Sequence, residues 1–279
     1  MLMDSLPKIT LTFLVVVAAS IVIFLGTTST KNATQIVEPA IKHVITNIPV
    51  VTPPPAVALP DFASYVDVKE KKSAFFEYLL PLVRFSNQLV RVDRELFKRV
   101  QSDPINLKSP EAKKITRRLN SRYRIVLERF PNLSFLEELD KRIGQIPESL
   151  ALAQAAKESG WGTSRFSKQA NNLFGQWCFT QGCGIVPARR SKGMTHEIQK
   201  FDSVGDAIEA YIYNLNTHRA YNSLREKRYG LLKKGKSPSG SELAITLTEY
   251  SERGAIYGQE VASLIRYNKL EEYDSPQSI

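Results

Sequence analysis

Residues 146–166 read IPESLALAQAAKESGWGTSRF, and the architecture of the chain depends on how this stretch begins and ends. Leu150, Leu152, Ala153 and Ala156 fit a compact, closely packed helix that starts after Pro147, and Gly160 offers a left-handed stop. Glu158 then sits on the last turn, where the helix dipole gives a carboxylate no help. An apolar wall supplied by Trp161 would favour its protonated form further. A carboxyl that keeps its proton is what general-acid chemistry needs. Taken alone, however, Glu-Ser-Gly is more simply a solvated helix end.

Helical spacing continues on both sides of this stretch. Upstream, Phe75, Phe76, Leu79, Leu80, Val83, Leu89, Val92, Leu96 and Phe97 recur at helical intervals, with Pro81 expected to kink or divide the helix. Ser109-Pro110-Glu111 reads as an N-cap with proline at the first helical position, and a short helix is expected over Phe135–Ile143. Downstream, KGMTHEIQKF (192–201) reads as a hairpin strand, in which alternation sends His196 and Glu197 to opposite faces. Asp202-Ser203 opens another helix, in which Tyr213 is expected to face away from Tyr211. The apolar positions from Leu243 to Ile265 give two packed helices, and nothing after Tyr273 is expected to fold.

Composition narrows the class. The chain has 279 residues, 43% hydrophobic and 24% charged, which excludes wholesale disorder and a multi-span transporter. A net charge of +10 suits nucleic acid, anionic lipid or an acidic polymer. The basic residues Lys113, Lys114, Arg117, Arg118, Arg122 and Arg124 are read first as a solvated helix face. With two cysteines and three histidines, neither a metal nor another cofactor is expected.

Ile9–Gly26 carries no charge and is long enough for the ~30 Å hydrocarbon core of a bilayer. An uncleaved inner-membrane anchor through residues 9–26 is the first reading; a cleaved signal segment and a buried helix are the alternatives. Lys8, opposed by Asp4, leaves the orientation bias weak. Such a start weighs against a nucleic-acid partner. The stretch 31–60, punctuated by Pro39, Pro49, Pro53, Pro54, Pro55 and Pro60, reads as a tether.

Glu158-Ser159-Gly160-Trp161-Gly162-Thr163-Ser164 followed by Asn171-Asn172-Leu173-Phe174-Gly175 resembles the glucosaminidase family of peptidoglycan hydrolases, which includes flagellar hydrolases and autolysins. The resemblance implies a mainly α, lysozyme-like, two-lobed α+β domain with a small β-hairpin over 145–273. A membrane segment (1–30), the tether (31–60) and a helical region (61–144) would precede it, and a short tail (274–279) would follow. It implies that Glu158 is the general acid, that Glu197 is a second carboxylate and that Tyr221 assists. Trp161, Asn172, Leu173, Phe174, Gly175 and Tyr211 would bind substrate or support its cleft. By themselves, Glu197 is equally a solvated strand residue and Tyr211 a core tyrosine.

The implied partner is peptidoglycan, and the implied reaction is endo-β-N-acetylglucosaminidase hydrolysis on the periplasmic side of the inner membrane. A lytic transglycosylase using a single acid and a noncatalytic wall-binding protein are the alternatives. Two departures from the family pattern stand out. Gln176-Trp177-Cys178 replaces the usual continuation after Gly175, and Lys200-Phe201 precedes Asp202-Ser203. Cys178 and Cys183 are close enough in sequence for a small loop disulfide, which an oxidising compartment would permit.

Overall fold

The computed structural model describes residues 51–55, 57–102, 109–130, 134–188, 190 and 193–277. Residues 48–279 form one compact unit that is mainly helical with one small sheet. The charge-free run 9–26 lies outside the described residues, and among those described no helix is long and apolar enough to cross a membrane.

Helix α1 (Val68–Ser102) runs through Pro81 without dividing. Proline removes one helical hydrogen bond and crowds the carbonyl four residues back. Packing outweighs that cost here: Phe75, Phe76, Leu79 and Val83 are buried on both sides of Pro81, and α1 lies against α2 (Pro110–Arg122), α4 (Glu148–Ser159) and α6 (Val204–Thr217). Ser109 caps α2 as expected, accepting from the Ala112 amide at 3.1 Å. Helix α3 (Ser134–Arg142) follows.

Helix α4 is the centre of the core. Residues Glu148 to Ala156 are all buried, with alanine at 151, 153, 155 and 156. A helix buried all round belongs in a protein interior, and its small side chains let neighbours approach closely. Its start is held from several directions. Asn87 of α1 donates to the Ile146 carbonyl at 2.8 Å and accepts from its amide at 3.0 Å. Asp274 accepts from the Ser149 amide at 2.7 Å and from its hydroxyl at 2.8 Å, and the Ser275 amide donates to Glu148 at 3.0 Å. Asp274 and Ser275 are therefore part of the folded body, contrary to the expectation that nothing after Tyr273 folds. Asp274 supplies the anion that unpaired amides at a helix start attract.

After α5 (Arg165–Ala170) come three short strands, β1 (Trp177–Cys178), β2 (Gly184–Ile185) and β3 (Glu197–Gln199). They form an antiparallel sheet in the order β1-β3-β2, rather than the expected hairpin. The register pairs Trp177 with Ile198, Cys178 with Glu197 and Gly184 with Gln199. Ser203 and Asp206 form a reciprocal capping box at the start of α6. Helices α7 (Asn222–Lys233), α8 (Gly240–Ala244) and α9 (Ala255–Tyr267) complete the fold, with α9 packed on both α4 and α8.

Candidate active site

The Glu-Ser-Gly-Trp-Gly stretch is a rigid helix terminator. Gly160, Trp161 and Gly162 have φ values of 57°, 61° and 74°, three successive left-handed residues that reverse the chain. The Ser159 hydroxyl donates to the Ala155 carbonyl at 2.6 Å and accepts from the Gly162 amide at 2.7 Å. A left-handed conformation is unfavourable for a tryptophan, and here it is offset by burial of the ring. Trp161 packs edge-on against Phe75 and Phe76 at 5.6 and 5.4 Å, with Lys72 5.0 Å above it. It wedges the end of α4 against α1 and does not line the cleft. That corrects its expected roles as substrate binder and as the wall beside Glu158.

Glu158 opens into a cleft of about 920 Å³ between the helical body and the sheet. Phe174, Gly175, Tyr211 and Tyr221 line it. Phe174 stacks on Tyr211 at 4.0 Å, and Gly175, with φ of 65°, carries the chain along the cleft wall. Tyr213 also reaches the cleft, with Arg124 5.1 Å from its ring, contrary to its expected orientation. Asn172 and Leu173 do not line it. Leu173 is fully buried. Asn172 donates to the carbonyls of Gln176 and Gln199, both at 2.9 Å, and accepts from the amides of Phe174 and Gln176, clamping the cleft-edge loop to β3.

The immediate partner of Glu158 is Tyr257, whose hydroxyl donates to it at 2.7 Å. Gln154, one turn earlier on α4, donates to the Tyr257 oxygen at 2.9 Å and accepts from Tyr211 at 2.6 Å. Because Gln154 occupies the acceptor side of that hydroxyl, the Tyr257 proton must point at Glu158. Tyr250 stacks on Tyr257 at 5.1 Å and donates to the Phe174 carbonyl at 3.0 Å. Four tyrosines (211, 221, 250 and 257) therefore stand where the sequence placed a tryptophan wall.

Burial raises the Glu158 carboxyl above its ordinary range, opposed by the Tyr257 hydrogen bond and the nearby Lys157 charge. The Tyr221 hydroxyl is pushed up to about 12, chiefly by burial, with smaller contributions from the charges of Glu249 and Glu158. Tyr257→Phe is expected to raise the Glu158 pKa further, since the hydrogen bond it removes favours the carboxylate. If Glu158 must be protonated for turnover, the alkaline limb of the rate profile moves to higher pH in this variant. An unmoved limb in the kcat profile, with lowered kcat, would leave Tyr257 only a packing role.

Glu197 is placed otherwise than expected. It is buried, and its two carboxylate oxygens accept from the amides of Gly182 at 3.0 Å and Gly184 at 2.8 Å. Those bonds, the Gly182 one foremost, hold its pKa below the usual range. Pairing with Cys178 in the sheet register turns Glu197 into the loop that the Cys178–Cys183 disulfide closes, so it does not line the cleft. With both oxygens occupied it braces that loop, whose Trp177 and Phe179 reach the cleft. The sulfurs of Cys178 and Cys183 lie close to Glu197 but are bonded to each other, which removes the thiolates a metal would need. His196, on the opposite face of β3, stacks on Trp177 at 4.0 Å. Glu197→Gln is expected to raise KM several-fold while leaving kcat within about 3-fold, because it loosens a cleft wall without touching proton transfer. A kcat loss of about 100-fold at unchanged KM would return Glu197 to the chemistry.

Comparison with known proteins agrees with the motif. Residues 134–270 match the glucosaminidase family, described as mannosyl-glycoprotein endo-beta-N-acetylglucosaminidase. The match begins at α3, somewhat before the boundary read from the sequence. The chain is 29% identical to protein Bax of Escherichia coli K12 over 214 residues, covering 76% of this chain and 75% of that protein. No solved structure matches the chain significantly. Residues 134–270, with Glu158 at the end of their central helix, are a glucosaminidase-family domain in a chain that is Bax-like over most of its length.

Proposed function

We propose that the chain is a peptidoglycan hydrolase that cleaves the β-1,4 bond after N-acetylglucosamine, with Glu158 as general acid. The observation that carries this reading is a half-buried glutamate, oriented by a tyrosine hydroxyl, at the floor of an open aromatic cleft. Aromatic faces suit pyranose rings, and a carboxyl kept protonated by burial can donate to a glycosidic oxygen. Tyr257 donates to one carboxyl oxygen and leaves the other to carry the acid proton. The helical body and the small sheet act as the two lobes of a lysozyme-like cleft. The charge-free run Ile9–Gly26 supports membrane anchorage, and a peptidoglycan substrate would put the body on the periplasmic side.

The test is to incubate the purified full chain with peptidoglycan and identify the new glycan ends by mass spectrometry. Reducing N-acetylglucosamine ends are expected. Because Glu197 is tied to backbone amides, single-acid transglycosylase chemistry is the second reading, and anhydro ends in place of reducing ones would establish it. Binding to the wall without new ends would indicate a noncatalytic role.

A further inference from the structure

Glycoside hydrolysis ordinarily uses two carboxyl groups, one giving a proton to the leaving oxygen and one serving the incoming water or forming a covalent intermediate. Glu197 has both oxygens committed to Gly182 and Gly184. The cleft that contains Glu158 is lined by two further carboxylates, Glu249 and Glu252, both solvent-exposed.

Glu249 is the better placed. It stands in the turn between α8 and α9, next to Tyr250, whose position is fixed from three sides. The Tyr250 amide donates to the Leu247 carbonyl at 3.2 Å, its hydroxyl to the Phe174 carbonyl at 3.0 Å, and its ring stacks on Tyr257, the residue that holds Glu158. The Tyr250 ring also lies 5.9 Å from Tyr221. The negative charge of Glu249 acts on Tyr221 and on His218, and Tyr221 also feels Glu158, so one cleft tyrosine stands within reach of both carboxylates. Glu249 forms no ion pair or hydrogen bond with a described residue, unlike Glu197 on its amides and Glu260 on Lys157 and Arg253. A free carboxylate on a fixed turn, open to water and lining the same cleft as the general acid, is suited to accept a proton from water.

We propose that Glu249 is the second carboxylate of the reaction, activating the attacking water while Glu158 protonates the leaving oxygen. The inference rests on the hydrolase reading above. In the step, the bond between the anomeric carbon and the glycosidic oxygen breaks, and its electron pair leaves with the oxygen, which takes the Glu158 proton. The water oxygen forms the new bond to the anomeric carbon and gives one proton to Glu249. Exchange with solvent restores both groups, and the net change is addition of one water. Attack from the face away from Glu158 inverts the anomeric centre.

The wild-type chain and Glu158→Gln are assayed first on soluble glycan strands; if the wild type releases no N-acetylglucosamine ends, the hydrolase reading fails before this one is reached. Given wild-type turnover, Glu249→Gln is expected to lower kcat by at least about 100-fold with KM within about 3-fold and an unchanged melting curve. Glu249→Ala should regain rate with added azide and yield an α-glycosyl azide, since a small anion needs no base. Proton NMR of the wild-type reaction should show the α anomer first. Retention of kcat within about 3-fold in Glu249→Gln, or a β anomer formed first, would overturn the proposal. Azide rescue of Glu249→Ala sustains it even if the glutamine variant folds poorly, and absence of rescue in a folded Glu249→Ala counts against it.

Discussion

Glu158→Gln should lose about a thousand-fold in kcat on peptidoglycan while binding it as well as the wild type, a loss within the range that general-acid catalysis supplies. The substitution is nearly isosteric, and the amide oxygen can still accept the Tyr257 hydroxyl proton, so the Tyr211–Gln154–Tyr257 chain keeps its geometry. Only the transferable proton is removed. The same variant should be more stable than the wild type at neutral pH. Glu158 has its pKa raised in the folded state, mainly by burial, so ionising it costs the native state more than the unfolded one. That cost is absent below the unfolded carboxylate pKa and grows as pH rises through the folded one. The melting temperature of Glu158→Gln should therefore exceed that of the wild type at pH 7, and the gap should close toward pH 4. A variant that retains turnover would remove Glu158 from the mechanism. One with equal melting at both pH values would show that burial is not what tunes it.

Such a residue could be found in the sequence because its signal is local. The αα-type spacing of Leu150 to Ala156, the Gly160 stop and the Ser-Gly-Trp-Gly run are contiguous, and they fold as a contiguous unit. The caps Ser109 and Ser203 are equally local and were legible for the same reason. Trp161 was misplaced because its direction depends on a left-handed backbone and on Phe75 and Phe76, which are far away in the chain. Glu197 was misplaced because alternation along a strand gives two faces without saying what each face meets; here one meets the disulfide loop.

Tyr257 and Gln154 carried the weakest signals. The Gln154–Tyr257 and Tyr257–Glu158 hydrogen bonds join residues 103 and 99 positions apart. In the sequence Tyr257 reads as one apolar position among several on α9. Its hydroxyl was the available clue, since a tyrosine buried in a helix stripe needs a partner for its polar end. Glu249 gives no local signal, because its importance comes from the turn that brings it to the cleft beside Tyr250.

Arg228→Met should destabilise the protein by about 3–5 kcal/mol, because it strips the donor from several buried acceptors at once. Arg228 is 1% exposed and has no carboxylate among its hydrogen-bond acceptors. Its guanidinium donates instead to the carbonyls of Lys141, Gly144 and Gln145 at 2.8, 3.0 and 3.2 Å and to the Asn216 side chain at 2.7 Å. Burial, with Arg94 and Arg225 nearby, pushes its pKa down to about 9, which still leaves it charged at neutral pH.

These carbonyls belong to the end of α3 and the turn that leads into α4, so Arg228 satisfies the unpaired end of one helix and fixes the start of the next. Methionine fills much of the space but leaves several acceptors buried without donors, each costing about 1–3 kcal/mol before any water enters. Lysine brings the charge without the planar fork, so Arg228→Lys should fall between the two. At roughly 2–4 °C per kcal/mol for a body of this size, Arg228→Met should melt about 10 °C lower. Gly144 is coupled to the same group, because a Cβ there would collide with the guanidinium. Gly144→Ala should therefore cost markedly less in the Arg228→Met background than alone, a coupling that urea denaturation of the four proteins of the cycle would measure. Additive losses, or an Arg228→Met protein that melts within about 2 °C of the wild type, would mean that water replaces the guanidinium at little cost and that α4 is positioned by Asn87 and Asp274 instead.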